Sequence, residues 1–273
     1  MKAIVYTKYG SPDVLQLKEI EKPAPKENEV LIRIYATTVN RTDCATIRAI
    51  PFFARILTGL FKPKKQIPGT EFAGRIEEIG KNVKSLKVGD RVFGFDHQGS
   101  GPHAQYMTTP ENEAVTIPKK ITYEQAAAST EGAHYAYNSI KKINIKSGQK
   151  VLVNGATGNI GTFAVQVAKS FGAEVTGVDS TRKLDMLRSI GADQVIDYTQ
   201  EDFTKSGENY DIIFDAVGKS SFSRSLRSLK QNGRYLLAAN PRLLQMVRAL
   251  WTSMISSLPV RQTGKKVIFE FAR

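Results

Sequence analysis

One cysteine, Cys44, and three histidines, His97, His103 and His134, are all that this 273-residue chain holds of the two side chains most used for disulfides and soft metal sites. A lone cysteine excludes a disulfide framework and any multi-cysteine zinc site, and it fits a reducing compartment. Acidic charge is also scarce. The 26 Asp and Glu residues are outnumbered by 39 Lys and Arg, leaving a net charge of +13. Such a balance raises the question of nucleic acid or an acidic membrane. The cations are scattered, however, and the densest group, Lys62, Lys64 and Lys65, lacks the interleaved aromatics of a base-stacking groove. The expectation is a solvated basic surface that attracts an anionic cofactor, with neither nucleic acid nor membrane as partner. Long apolar runs are missing as well. The most membrane-like stretch, Leu243 to Val260, is interrupted by Arg248 and several hydroxyl residues, so it reads as a buried amphipathic helix. No charged leader with a long apolar core precedes the opening Met1–Tyr6 strand pattern, and the expected location is cytoplasmic.

What is present is more specific. Val151-Leu152-Val153 reads as a buried strand, and Asn154-Gly155-Ala156-Thr157-Gly158-Asn159-Ile160-Gly161 follows as a glycine-rich turn. Phe163, Val165, Val167, Ala168 and Phe171 then continue at helical spacing. Strand, glycine turn and helix in that order form a pyrophosphate cradle, with backbone N–H groups and the positive end of the helix dipole facing the phosphates. Gly158 permits close approach of the pyrophosphate and Gly161 permits the helix to pack on the strand. In a G-x-G-x-x-G read onto Gly158 and Gly161, Ala156 stands where the first glycine belongs. Asp179 ends a second apolar run, Glu174–Val178, at the distance where the fingerprint wants an acid for the ribose hydroxyls.

Two patterns divide the chain. Residues 1–122 read as short strands broken by Gly and Pro: Ala3–Thr7, Glu29–Ala36, Gly74–Ile79, Arg91–Phe95 and Tyr106–Thr108, a small β-rich barrel. From Tyr123 to residue 273, strands at Lys150–Val153, Glu174–Val178, Gln194–Ile196, Tyr210–Asp215 and Arg234–Ala238 alternate with helical stretches. That alternation predicts a parallel sheet covered on both faces. A helix over Leu243–Ser257 and a closing strand, Lys266–Phe271, complete the reading.

Gly10-Ser11-Pro12, Val39-Asn40, Pro68–Gly74, Val88-Gly89-Asp90-Arg91-Val92, Gly155–Gly161 and Asp215-Ala216-Val217-Gly218 together resemble the medium-chain dehydrogenase/reductases, in their zinc-free quinone oxidoreductase branch. The resemblance implies an α/β fold: a GroES-like β-rich substrate domain over 1–122 beside a doubly wound, Rossmann-type dinucleotide domain over 123–273. Members of that family continue past the strand matching Val267–Phe271 with further helices and a last strand, a portion expected to be missing here, and that strand pairs many relatives, so a homodimer is expected. Zinc-dependent relatives carry cysteine at the position of Asn40 and histidine at that of Thr70. The three histidines are too few and too scattered to rebuild such a site, so no metal is expected. Chemistry then rests on the cofactor, with hydride passing to an already electrophilic quinone or α,β-unsaturated carbonyl.

By resemblance, Asn40 and Asp43 shape the nicotinamide end of the cleft, and Asp43 reads equally as a helix cap. Tyr135 and His134 either line the site or pack. The loop Gly155–Gly161, Val217 and Gly218 hold the dinucleotide. Cofactor choice sets Asp179, which favours NADH, against Ser180, Arg182 and Lys183, which suit a 2′-phosphate. Tyr198 matches a phosphate-contacting position in relatives, and the expectation is NADPH, with NADH the alternative. An enoyl-thioester reductase and a non-catalytic NADPH-binding module are the competing readings. The insert Ile50–Phe61 reads as a greasy lid over a hydrophobic acceptor or as packing against the barrel.

Overall fold

Hydrophobic period two governs the first part of the chain and continuous apolar strands govern the second, and the architecture follows that split. The computed structural model describes residues 1–50, 52, 55–96, 101–220, 222–238 and 264–269. Strands β1 (Lys2–Val5) and β2 (Gln16–Glu19) pair antiparallel. After β3 (Glu29–Thr37) come two helices, α1 (Arg41–Arg48) and the single turn α2 (Arg55–Thr58). Strands β4 (Glu71–Ile79), β5 (Arg91–Phe95), β6 (Tyr106–Pro110) and β7 (Val115–Thr116) follow. β3 to β7 form one antiparallel sheet in the order β6-β3-β4-β5-β7. Val30, Ile32, Phe72, Ile76, Val92 and Met107 fill its core.

Two of these strands escape a sequence reading for physical reasons. β2 is exposed at every position, so it carries no alternation of apolar residues, and β7 is only two residues long. β4 starts at Glu71 rather than at Gly74, because the buried acid there finds partners in Thr38, Asn40 and the Glu131 N–H and does not end the strand.

Helix α3 (Tyr123–Ile143) leads into the alternating part. There follow β8 (Lys150–Asn154), α4 (Asn159–Ser170), β9 (Glu174–Asp179), α5 (Leu184–Ser189), β10 (Gln194–Asp197), β11 (Tyr210–Asp215), β12 (Leu229–Leu237) and β13 (Lys266–Phe269). All five neighbouring pairs of this six-stranded sheet are parallel, in the order β10-β9-β8-β11-β12-β13. That is the doubly wound order, with its switch point between β8 and β11. The apolar runs Val151–Val153 and Ile212–Phe214 are fully buried, as strands covered on both faces must be.

Two compact units result, Met1–Glu131 and Gly132–Arg273, and the division falls inside α3. In the first unit, Ala126 and Ala127 of this helix pack with Ala73 and Ile117; in the second, Ala136, Ile140 and Ile143 join the core around β8 and α4. The expected boundary at 122/123 is the start of the same helix. The expected helix Leu243–Ser257 and the last residues of the closing strand lie outside the described residues. Among the described residues no helix is long and apolar enough to cross a membrane.

Candidate functional site

The turn after β8 is tight because Gly155 sits at φ +77°, a left-handed conformation that disfavours any side chain, and a Cβ there would lie 1.9 Å from Val217 Cγ2. The glycine of the tight turn is therefore Gly155, one residue earlier than the fingerprint alignment placed it. Ala156 is buried in the core instead, and its N–H donates to Val178 O at 3.1 Å. Gly161 answers the other steric demand, since a Cβ would meet Gly155 O at 2.2 Å. Gly158 is the N-cap of α4 and brings no side-chain cap, so the first N–H groups of the helix keep their outward direction. Ile160 packs on the core, which leaves Thr157, Gly158 and Asn159 as the outer part of the loop.

Asp179, expected at the ribose, turns toward the loop. Its Oδ2 accepts from Thr157 N–H at 3.1 Å and from Thr157 Oγ1 at 2.6 Å, and its Oδ1 accepts from Ser180 N–H at 2.8 Å. Burial alone would raise this carboxyl, but the Thr157 and Ser180 hydrogen bonds and the Lys183 ammonium, 3.9 Å away, outweigh it and hold it below the usual range. Asp179 is thus an ionised clamp on the glycine loop. Ser180 and the exposed Arg182 and Lys183 form the turn that follows, and exposed Tyr198 is tied alongside through its N–H to Asp179 O at 3.1 Å. Thr181 Oγ1 donates to Asp197 Oδ2, which joins this turn to the end of β10.

A second carboxylate anchors the other side of the switch point. Asp215 is fully buried; its Oδ1 accepts from Asn154 Nδ2 at 3.0 Å, Val217 N–H at 3.1 Å and Gly218 N–H at 2.9 Å. Its Oδ2 accepts from the Tyr235 hydroxyl at 2.6 Å. Burial, with the Asp215 charge added, pushes the Tyr235 phenol far up, so it stays protonated and donates. Val217 and Gly218 are therefore held against Gly155 by groups on β8, β11 and β12.

In the first unit the structure gathers a buried polar cluster around the start of α1. Asn40 and Asp43 form a reciprocal capping box: Asn40 Oδ1 accepts from Asp43 N–H at 2.9 Å, and Asp43 Oδ2 accepts from Asn40 N–H at 3.0 Å. Of the two readings of Asp43, the helix cap is the one this geometry shows. Asn40 Nδ2 donates to Thr70 Oγ1 at 2.8 Å and Glu71 Oε2 at 3.3 Å, so the amide is fully engaged. Glu71 also accepts from Thr38 Oγ1 and, at 2.6 Å, from Glu131 N–H. Thr42 Oγ1 donates to Glu131 Oε1 at 2.5 Å. Asp43, Glu71 and Glu131 are all buried. Burial raises the Asp43 carboxyl, with bonds from Asn40 and Thr70 opposing it. Glu131 is pushed up to about 7 by burial, with the Thr42 bond opposing and the charges of Glu71 and Asp43 adding to the rise.

Tyr135 lies on α3 in the second unit, whereas Asn40 and Asp43 belong to the first. Its ring meets that of His134 edge to face at 5.6 Å, and His134 contacts Asn138 Nδ2 at 3.2 Å. His103 is half-buried, with Nε2 2.7 Å from Thr38 O, and His97 is outside the described residues. Sequence reasoning did not single out Thr38, Thr42, Glu71, Glu131, Asn154 or Tyr235 as site residues. Glu71 and Asn154 lay inside quoted motifs, and the others carry no local signal because their partners are distant in the chain.

Asn40 and Thr70 do meet, but as an amide and a hydroxyl bonded to each other, and neither is a customary zinc ligand. Among the described residues no group of three or more His, Cys, Asp and Glu side chains could hold a metal ion. The donor set here does not fit zinc.

Residues 26–119 match the alcohol dehydrogenase GroES-like domain family, and residues 159–253 the zinc-binding dehydrogenase family. The chain is 35% identical to 2-methylene-furan-3-one reductase of Solanum lycopersicum over 283 aligned positions, covering 97% of this chain and 70% of that protein. It is 32% identical to quinone oxidoreductase 1 of Escherichia coli, covering 84% of this chain and 70% of that one. The crystal structure of the Escherichia coli quinone oxidoreductase complexed with NADPH superposes with a TM-score of 0.79 at 27% identity, covering 99% of this chain and 81% of that chain. The matched domains, their order and the parallel sheet with its glycine turn agree: the chain belongs to the medium-chain dehydrogenase/reductase superfamily, in the quinone oxidoreductase branch.

Proposed function

We propose that this protein is an oxidoreductase that uses NADPH to reduce quinones or α,β-unsaturated carbonyls without zinc. The observation that carries the reading is the switch point between β8 and β11, where the Gly155 turn, the uncapped start of α4 and the Val217–Gly218 loop converge. A dinucleotide pyrophosphate fits there against backbone N–H groups at the positive end of a helix. The bound nicotinamide supplies the hydride. Thr157, Gly158 and Asn159 hold the pyrophosphate, while Ala156, Ile160 and Gly161 set the loop's shape from within the core. Asp179 keeps that loop in place and has its oxygens occupied. The adjoining Ser180, Arg182 and Lys183, with Tyr198 alongside, are the groups that would receive a 2′-phosphate. This favours NADPH over NADH, in keeping with the ligand of the Escherichia coli structure. Val217 and Gly218 close the cradle.

Asn40 and Asp43 fix the loop entering α1, and we assign Asn40, Asp43 and Tyr135 to handling the acceptor. The relatives named as quinone and furanone reductases support an acceptor that is already electrophilic. β13 ends the described sheet, and pairing across that edge gives a homodimer. The direct test is oxidation of NADPH and NADH with 9,10-phenanthrenequinone, using metal-stripped protein and an EDTA control. Turnover that survives EDTA and prefers NADPH supports the reading. Silence with both cofactors, and no binding of either, overturns it.

A further inference from the structure

Between Asp43 and Glu71 the chain contains no acidic residue, and it contains five cations: Arg48, Arg55, Lys62, Lys64 and Lys65. Among the described residues, the same stretch holds the largest group of exposed bulky apolar side chains: Phe52 is 71% exposed, Ile56 73%, Leu60 53% and Phe61 89%. These side chains do not pack against the barrel, which removes one of the two readings of the insert for them.

The segment is also preorganised. Tyr9 donates from its hydroxyl to Gly59 O at 2.8 Å and bonds Thr58 Oγ1 at 2.9 Å. The Arg55 guanidinium lies over both the Tyr9 ring at 4.9 Å and the Phe52 ring at 4.8 Å. Gly59 N–H donates to Arg55 O, and Lys64 N–H donates to Thr58 O, both at 2.9 Å. Leu60, Phe61 and Lys62 therefore sit on a short projecting turn whose base is tied down. Lys62, Lys64 and Lys65 are all exposed beside them.

We propose that this projection docks the protein onto an anionic lipid surface, with Phe52, Ile56, Leu60 and Phe61 entering the headgroup boundary and Lys62, Lys64 and Lys65 meeting the lipid phosphates. Bulky apolar tips beside exposed lysines are the composition of an interfacial contact. A protein–protein interface core is poor in lysine, which argues against a protein occupant. Docking of this kind needs no spanning helix. It also places the protein where hydrophobic acceptors concentrate, but it stands without that reading, because vesicle binding requires neither cofactor nor turnover.

The test uses the full chain and vesicle flotation. Vesicles of phosphatidylcholine containing about 30 mol% phosphatidylserine give a strongly negative surface and should carry the protein; pure phosphatidylcholine should carry much less. Binding to the anionic vesicles should fall steeply with salt. The double variant Ile56→Ser, Phe61→Ser should weaken binding roughly 100-fold, at roughly tenfold per bulky side chain withdrawn from water. The triple variant Lys62→Gln, Lys64→Gln, Lys65→Gln should weaken it by a similar factor, at about fivefold per cation. Unchanged melting temperatures, expected because these side chains are exposed, separate lost docking from lost folding. Absence of binding to anionic vesicles overturns the proposal, and so does binding that both variants leave intact. Size-exclusion chromatography in which the Ile56/Phe61 variant dissociates an oligomer identifies a second copy as the occupant and likewise overturns it.

Discussion

Replacing Glu131 by Gln should make the protein more stable, and only above the acidic range. The carboxyl rises from an ordinary 4.5 to about 7 on folding, because it is 7% exposed and shares its pocket with Glu71 and Asp43. Below pH 4.5 it is protonated in both states and contributes nothing to the pH dependence. Between 4.5 and 7 the unfolded chain has released this proton and the folded chain retains it. The native state then binds more protons, and stability falls as pH rises. Above 7 the loss levels off at about 3 kcal/mol, from a gap of about 2.5 pH units at 1.36 kcal/mol each. Gln keeps an oxygen for Thr42 Oγ1 and carries no charge, so Glu131→Gln removes this loss while leaving the cluster's shape intact. Differential scanning calorimetry of the two proteins should give nearly equal melting temperatures at pH 4.5. By pH 8 the variant should lie on the order of 10 °C higher, taking about 3 °C per kcal/mol. A difference that is the same at both pH values, or a variant that melts lower at pH 8, would refute the argument that burial keeps this acid protonated.

Three further outcomes follow from the second unit. Gly161→Ala puts a Cβ 2.2 Å from Gly155 O and 2.8 Å from Ala156 Cα, so backbone must move; a loss of about 1–3 kcal/mol is expected, with NADPH affinity lost in isothermal titration. Arg182→Ala with Lys183→Ala should weaken NADPH binding roughly 100-fold, at about tenfold for each charged contact, and leave NADH nearly unchanged. Equal losses for both cofactors would show that the pair does not read the 2′-phosphate. Tyr235→Phe leaves Asp215 Oδ2 without its 2.6 Å donor in a fully buried site, and urea denaturation should show about 2 kcal/mol of destabilisation. No change there would mean that the Val217–Gly218 loop does not depend on this bond.

The two-part architecture was legible because it rests on local patterns. Val151–Val153 followed by glycines and a helical apolar stripe can pack in few ways other than strand, turn and helix. The alternation from Tyr123 onward calls for a parallel sheet, since parallel neighbours need a crossover between them. Charge scarcity was equally plain: no acid between Asp43 and Glu71 is a statement about sequence alone. Where the reading slipped, long-range contact was the reason. The turn glycine proved to be Gly155 because Val217, brought alongside from β11, leaves no room for a Cβ there. Asp179 occupies the fingerprint position but spends its oxygens on Thr157 and Ser180, which no spacing rule reveals.

The acidic cluster shows the limit best. Thr38 and Asn40 precede α1, Thr42 lies in its first turn, Glu71 opens β4 and Glu131 lies in α3, so the bonds among them span up to 89 residues. Each of these acids, read singly, is an ordinary polar residue. Which segments become strand, turn and helix, and where a glycine turn and a basic stretch fall, could be read from local pattern, because those depend on neighbours a few residues apart. Which carboxylates are buried together, how far burial raises their pKa, and which apolar side chains stay in water emerge with the packing of distant segments. Desolvation and mutual charge arise when distant parts of the chain meet.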